Sequence, residues 1–448
     1  MLSCKIEIAS LWVGGIMRAL CVIIRYLAKG KWDHMEKKLE VLAPAGDMEK
    51  LRAAVAYGAD AVYLAGTAYG MRGAAGNFSA ESLPGAIAYA HSRGVRVYVA
   101  CNTVIDEAEL AGLPAYLELL DSAGADAVIA AELGVMNACR KYAPHAAIHV
   151  STQAGVKNSA AARAFYDLGA SRVILARETS LADIAAMRAK LPPELELEAF
   201  CHGAMCVSFS GRCTLSNYLT GRDANRGQCA QPCRWKYHLM EERRPGEFFE
   251  ITEDAGGTYI LNSRDLCMID HVPELLAAGV ASIKIEGRTK SAYYAAAVTQ
   301  AYRRAADAAL AGRPLESQWR REVYKVSHRP YSTGFYFGEP GQYTAEASYF
   351  SESDVVAVVE RCDEKGAAVL AQRNRFSPGD ELELLMPGAA PVAFTAGPIT
   401  DEAGAPVQAA RHPGMELHTA LPVPAPALSF LRRARTEALS GHGVTPLA

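Results

Sequence analysis

One phrase recurs four times between Tyr57 and Ile285 and constrains the fold more than any other feature of the chain. Its copies are Tyr57-Gly58-Ala-Asp-Ala-Val-Tyr-Leu, Ala123-Gly124-Ala-Asp-Ala-Val-Ile-Ala, Leu168-Gly169-Ala-Ser-Arg-Val-Ile-Leu and Ala278-Gly279-Val-Ala-Ser-Ile-Lys-Ile. In each, an alanine-rich amphipathic stretch ends at a glycine, which suits a helix C-cap, and a short apolar strand follows. These are αβ junctions. With their neighbours they predict strands at Leu39–Ala43, Ala61–Leu64, Val95–Ala100, Ala127–Ala130, Ala147–Val150, Val173–Ala176, Leu195–Phe200 and Ser282–Ile285. Eight strands alternating with helices predict an α/β fold, a (β/α)8 TIM-like barrel. An open doubly wound sheet is disfavoured, because the Gly-x-Gly-x-x-Gly that would follow its first strand is missing.

Barrels of this kind build their sites from loops at the C-terminal ends of the strands. Those positions hold Pro44 to Asp47, Gly66 to Arg72, Asn102-Thr103, Glu132, Ser151-Thr152-Gln153, Arg177-Glu178, His202 and Glu286-Gly287-Arg288. The loop after the seventh strand carries Cys206, Cys213, Cys229 and Cys233 within 28 residues, with Cys201 before them and Cys267 downstream. The spacings are Cys-x6-Cys, Cys-x15-Cys and Cys-x3-Cys, interleaved with Gly203, Gly211, Gly221 and Gly227. Thiolates gathered on a loop bind soft metals. The paired Cys-x2-Cys knuckles usual for zinc are absent, and irregular spacing on a glycine-rich loop suits an iron–sulfur cluster. Cys4, Cys21, Cys101, Cys139 and Cys362 lie in apolar or helical surroundings and read as ordinary core or surface thiols, and Cys201 as packing.

The run Glu198-Ala199-Phe200, then Gly203-Ala204-Met205-Cys206, then Gly211-Arg212-Cys213-Thr214-Leu215-Ser216 resembles the signature of the collagenase-like peptidase family U32 at every defined position. The resemblance covers roughly residues 39 to 440. Members similar to this chain include tRNA 5-hydroxyuridine modification proteins, to which it is most similar, rRNA cytidine hydroxylases and paired ubiquinone hydroxylases that work without oxygen. The resemblance implies a 4Fe–4S cluster with Cys206, Cys213 and Cys229 as ligands. For the fourth ligand it offers Cys267 first, as in the ubiquinone-hydroxylase branch, with Cys233 as the substitute, as in some tRNA-modifying relatives. It further implies hydroxylation of a pyrimidine, foremost the tRNA wobble uridine, with prephenate as oxygen donor. The alternatives are rRNA cytidine or quinone-precursor hydroxylation, and proteolysis.

Arg177, Lys284, Arg288 and Lys290 are the second set of candidates. A guanidinium fork binds carboxylate or phosphate in bidentate fashion, which suits a small dicarboxylate co-substrate or RNA. Ion pairing with Glu178, Glu286 or Glu132 is the competing role. Glu286 and His202 complete the candidate catalytic group of Arg177, His202, Glu286 and Arg288, with His202 read as an acid or base or as a loop hydrogen-bond partner. Machinery for proteolysis is not visible. Gly-x-Ser-x-Gly and His-Glu-x-x-His are absent, and Cys201-His202 are adjacent on a strand, which sends their side chains to opposite faces.

Lys and Arg total 46 against 49 acidic residues, so any RNA site must be local rather than a global basic surface. Eleven cysteines, an odd number, argue for a reducing, cytoplasmic setting. Residues 1–38 read as an extension. Ile6 to Leu27 is apolar but interrupted by Glu7, Arg18 and Arg25, so translation is expected to start at Met35 rather than at an amphipathic anchor, and no stable membrane association is expected. The barrel domain occupies 39–311, with its cysteine loop at 201–267. An aromatic linker at 312–350 follows, with seven Tyr or Phe between 331 and 350, read as packing on the barrel in preference to a base-stacking platform. Short alternating runs from 351 to 448 predict a small β-barrel domain of the kind that grips RNA or a partner. A second subunit of the same family is a further expected partner.

Overall fold

A computed structural model describes residues 39–435 except 72–75, 207, 210–211, 236–251, 255–256, 260–262 and 341–348. The predicted N-terminal extension and its start at Met35 lie outside the described residues, as do Cys4, Cys21, Arg72 and Gly211.

Eight parallel strands close on themselves: β1 (Glu40–Pro44), β2 (Ala61–Leu64), β3 (Arg96–Cys101), β4 (Ala127–Ala130), β5 (Ala147–Val150), β6 (Arg172–Ile174), β7 (Glu196–Gly203) and β8 (Ser282–Ile285). Each pairs with the next, and β8 returns to β1 with Ser282 opposite Glu40. The TIM-like barrel expected from the sequence is present, and β2, β4, β5 and β8 have the predicted limits.

The repeated phrase explains the closure. Gly58, Gly124, Gly169 and Gly279 have φ of 98°, 81°, 97° and 88°, the left-handed region that a side chain disfavours. The next N–H reaches back across the helix end, Ala59 to Ala54, Ala125 to Leu120, Ala170 to Phe165 and Val280 to Leu275, as in a Schellman cap. One residue further, the N–H groups of Asp60, Asp126, Ser171 and Ala281 donate to the carbonyls of Val41, Val97, Ile148 and Leu197 on the preceding strand. The same short phrase therefore ends a helix and sets the register of the following strand. In two copies the carboxylate adds a bond, Asp60 Oδ2 accepting from Val41 N at 2.9 Å and Asp126 Oδ2 from Val97 N at 2.8 Å. At the opposite helix ends, Asp47, Asn158, Ser180 and Ser291 cap the first turns with their side chains, each worth about 1 kcal/mol.

β7 runs past the barrel rim. Its end pairs antiparallel with a short strand, Asp265–Cys267, which pairs with Tyr331–Ser332. The aromatic segment is thereby stitched to the barrel, with Tyr331 and Tyr336 buried and Tyr336 Oη donating to Phe200 O at 2.5 Å.

Residues 353–434 form an eight-stranded antiparallel sheet with its own core, including Val356, Leu370, Phe376, Leu384 and Leu431. It docks on the linker helix Ser317–Glu322 through Arg432, which is fully buried and grips Glu322 at 2.6 and 2.8 Å. Arg432 also reaches Glu383 at 2.9 Å and Tyr293 Oη at 3.0 Å, so its charge is fully compensated. Among the described residues no helix is long and apolar enough to cross a membrane.

Candidate active site

The C-terminal ends of the barrel strands open into a cavity of about 270 Å³, a size that holds one small ligand. Strand residues contribute Tyr63, Ala100, Ile129, Ile174, Phe200 and Lys284 to its lining, and the loops beyond them Asn102, Gln153, Arg177, Glu286, Arg288 and Lys290. The cysteine loop contributes Cys206, Cys213, Cys229 and Cys233.

Beneath the cavity the barrel interior is charged. Arg172 bonds Glu40 at 2.6 Å, Glu196 at 2.6 Å and Glu198 at 3.0 Å, and Lys284 Nζ reaches Glu198 Oε1 at 2.9 Å. Tyr98 Oη and Ser282 Oγ donate to Glu40 at 2.7 and 2.8 Å. Burial alone would raise the Glu40 carboxyl, but Arg172, with help from Arg96 and Tyr98, holds it below its ordinary value. His149 lies in the same layer, edge-on to Tyr98, and burial reinforced by Arg172 and Lys284 keeps its imidazole neutral. Sequence reasoning missed this lattice. The available signal was a set of charged residues, Glu40, Arg172, Glu198 and Lys284, inside otherwise apolar strands.

At the mouth, Arg177 Nη2 pairs with Glu286 Oε2 at 2.9 Å and lies 4.1 Å from the Phe200 ring centroid. Two members of the candidate catalytic group are thus brought together, as an ion pair on the cavity wall. Arg288 lines the cavity at 2 % exposure, its Nη1 3.5 Å from Asn77 Oδ1. Lys284, read from the sequence as an anion binder, is held by Glu198. Lys290 Nζ donates to Ser327 O at 3.1 Å.

The cysteine loop leaves β7 at Gly203, whose φ is 109° and where a Cβ would stand 2.4 Å from Glu286 O, so only glycine lets the two loops cross. The loop is tied down by Arg212, which donates to Gln153 O at 2.9 Å, and by Arg226, which pairs with Glu109 and donates to Val104 O at 3.3 Å. Within it, Asn225 donates to Cys213 O at 3.1 Å and Ser216 Oγ accepts from Ala230 N at 3.0 Å. The Gln231 N–H points at Cys229 Sγ at 3.3 Å. Among the described residues, no three His, Cys, Asp or Glu side chains are gathered closely enough to hold a single metal ion.

Two of the sequence-predicted site residues are not at this cavity. Cys267, preferred as fourth cluster ligand, lies on the strand paired with β7 and is buried, its thiol pushed up to about 12 by desolvation. It touches Tyr302 Oη at 3.9 Å and does not line the cavity, whereas Cys233 does. His202 is likewise buried, between Tyr302 at 3.3 Å and Tyr331 at 3.4 Å. Burial first, then the neighbouring His328 and Lys290, depress its pKa to about 3, so the imidazole is neutral at neutral pH. The cause is a bulge: Phe200 and His202 pair with Lys284 and Ile285, leaving Cys201 extra, and β7 turns His202 into the helix layer.

The chain belongs to peptidase family U32. The model of that family matches residues 46–346, and the model of the peptidase family U32 C-terminal domain matches residues 351–432. The chain is 39% identical to tRNA hydroxylation protein P1 of Bacillus subtilis, over 84% of this chain and 90% of the relative. It is 34% identical to the 23S rRNA 5-hydroxycytidine C2501 synthase of Escherichia coli, over 61% of this chain and 40% of that longer protein. It is also 31% identical to a collagenase of Porphyromonas gingivalis, over 67% of this chain and 74% of the relative.

Proposed function

We propose that this protein is a cytoplasmic RNA hydroxylase that works without oxygen, converts a tRNA wobble uridine to 5-hydroxyuridine, and uses prephenate as oxygen donor. The observation that carries this reading is that Cys206, Cys213, Cys229 and Cys233 line one cavity with Arg288 and the Arg177–Glu286 pair. Relatives named for tRNA hydroxylation and rRNA 5-hydroxycytidine synthesis support RNA as the substrate class. Four thiols on a glycine-rich loop are an all-sulfur donor set, which suits a 4Fe–4S cluster. Cys206, Cys213 and Cys229 would hold it with Cys233 as the fourth ligand. When bound, such a cluster supplies one-electron chemistry. The chain's own part is to bind and orient. Arg288 faces the cavity from a buried position, suited to fixing a carboxylate or phosphate, and Arg177 holds Glu286 and its loop in place.

The test is nucleoside mass spectrometry of tRNA from a strain lacking the gene. The 5-hydroxyuridine derivatives should vanish, return with the wild-type gene, and stay absent with Cys206→Ala. Unchanged levels would overturn the tRNA reading, and an rRNA digest would then decide the cytidine variant. Proteolysis has the collagenase's name behind it. Against it, Cys201 is fully buried with its thiol pushed well up by desolvation, and its neighbour His202 is held neutral in a tyrosine cage.

A further inference from the structure

The cavity has one aromatic wall that the fold does not bury. Tyr63 and Phe200 line it at 6% and 4% exposure, whereas Tyr349 lines it at 42%. The backbone that follows Tyr349 is tied down. Phe350 exchanges both hydrogen bonds with His328, at 2.9 and 2.7 Å, and Glu352 N donates to Tyr324 O at 3.1 Å. Side chains alternate along an extended bridge, so Phe350, 6.4 Å from the His328 ring, faces the aromatic segment while Tyr349 turns to the cavity. Lys290 Nζ lies 4.6 Å from the Tyr349 ring centroid, a cation–π contact. A half-exposed ring, next to tied-down backbone and backed by a cation, is how proteins stack a nucleobase. Gln153 adds a carboxamide to the same lining, able to donate to and accept from a pyrimidine edge.

We propose that Tyr349, backed by Lys290, is the platform on which the target pyrimidine stacks, and that it is a specificity-determining residue of this site. The proposal rests on the RNA-hydroxylase reading given above. A base that is to be modified must leave its own stack, and a second stack at the cavity offsets that loss.

The experiment compares Tyr349→Ala, Tyr349→Phe and Tyr349→Trp in the full chain purified anaerobically. It measures binding of tRNA from the deletion strain, nucleoside modification in cells, and melting temperature. Tyr349→Ala should weaken binding and modification roughly 5- to 150-fold, the range for losing one stacked base. Tyr349→Phe should stay within about twofold, because the face is kept. Tyr349→Trp should also bind, and should show fluorescence quenching by oligouridine that the wild type lacks. Melting temperatures should agree among the variants. Wild-type behaviour of Tyr349→Ala, a Tyr349→Phe as impaired as Tyr349→Ala, or quenching by peptide but not by oligouridine would each overturn the proposal. If the wild type itself binds no tRNA and changes no nucleoside, the RNA reading falls and the platform with it. If the wild type does both and Tyr349→Ala does too, only the platform falls.

Discussion

The barrel interior and the barrel mouth use the same kinds of side chain to opposite ends. In the interior, Glu40, Arg172, Glu198 and Lys284 are buried and satisfied by one another at 2.6 to 3.0 Å. At the mouth, Arg288 and the loop cysteines face a cavity that their neighbours leave open. A buried, mutually paired lattice adds no binding capacity, because every charge is already committed; its removal piece by piece exposes desolvated charge. Arg288, buried on the cavity wall, stands where a ligand can reach it. Residue type alone does not separate the two sets. Position does.

The sharpest way to break this contrast is Arg172→Ala, which would strand Glu40 and Glu198 in the interior without their shared cation. Removing one partner of a buried ion pair costs about 3–5 kcal/mol. Denaturant unfolding should show a loss of that order, or the variant should fail to accumulate. A midpoint equal to the wild type would mean that the interior charges are not coupled as a lattice.

At the mouth, the expected pattern is reversed, with iron content rather than stability as the readout. Cys206→Ala, Cys213→Ala and Cys233→Ala should lose most of the bound iron, since a missing thiolate opens a coordination position. Cys267→Ala should keep its iron and lose only packing, about 1–3 kcal/mol for a buried side chain. Iron lost from Cys267→Ala but kept in Cys233→Ala would restore the strand thiol as the fourth ligand.

The architecture was legible because it is written locally. The glycine of each repeated phrase specifies its own cap, and four strands fall where alternation places them. The cysteine loop was legible as a thiol cluster because Cys206 to Cys233 are close in sequence. His202 and Cys267 lie away from the cavity for a non-local reason. Their orientation follows from a bulge in β7 and from a pairing between Cys267 and His202 that joins segments 65 residues apart, and neither leaves a periodic trace. Tyr349 was hidden similarly, since its aim depends on the Phe350–His328 bridge rather than on its aromatic neighbours.

Arg288→Ala probes the mouth without touching the thiols. It should leave iron content unchanged and reduce RNA modification by roughly 10- to 150-fold, corresponding to about 1.5–3 kcal/mol for a charge-assisted contact. Arg288→Lys should recover only part of that loss, because the ammonium lacks the planar fork. Modification at the wild-type level in Arg288→Ala would assign Arg288 to the structural set with Arg172.

The smallest expected effect is a pH dependence that belongs to the core and not to catalysis. His202 titrates at about 3 in the folded protein, against about 6.5 in an unfolded chain. The unfolded state therefore binds the extra proton between these values, and stability falls as pH drops below about 6.5, by about 1.4 kcal/mol at pH 5.5. Above pH 7 His202 is neutral in both states and the effect vanishes. His149, depressed in the same direction by burial and by Arg172, and His328, depressed by burial, act in the same sense. His202→Phe should remove one of these contributions, so that its stability relative to the wild type improves by about 1.4 kcal/mol between pH 7.5 and pH 5.5. Urea midpoints of both proteins at the two pH values measure this directly. A difference that stays constant across that window would mean that His202 is already protonated in the fold, and would return it to the list of groups able to move a proton at the site.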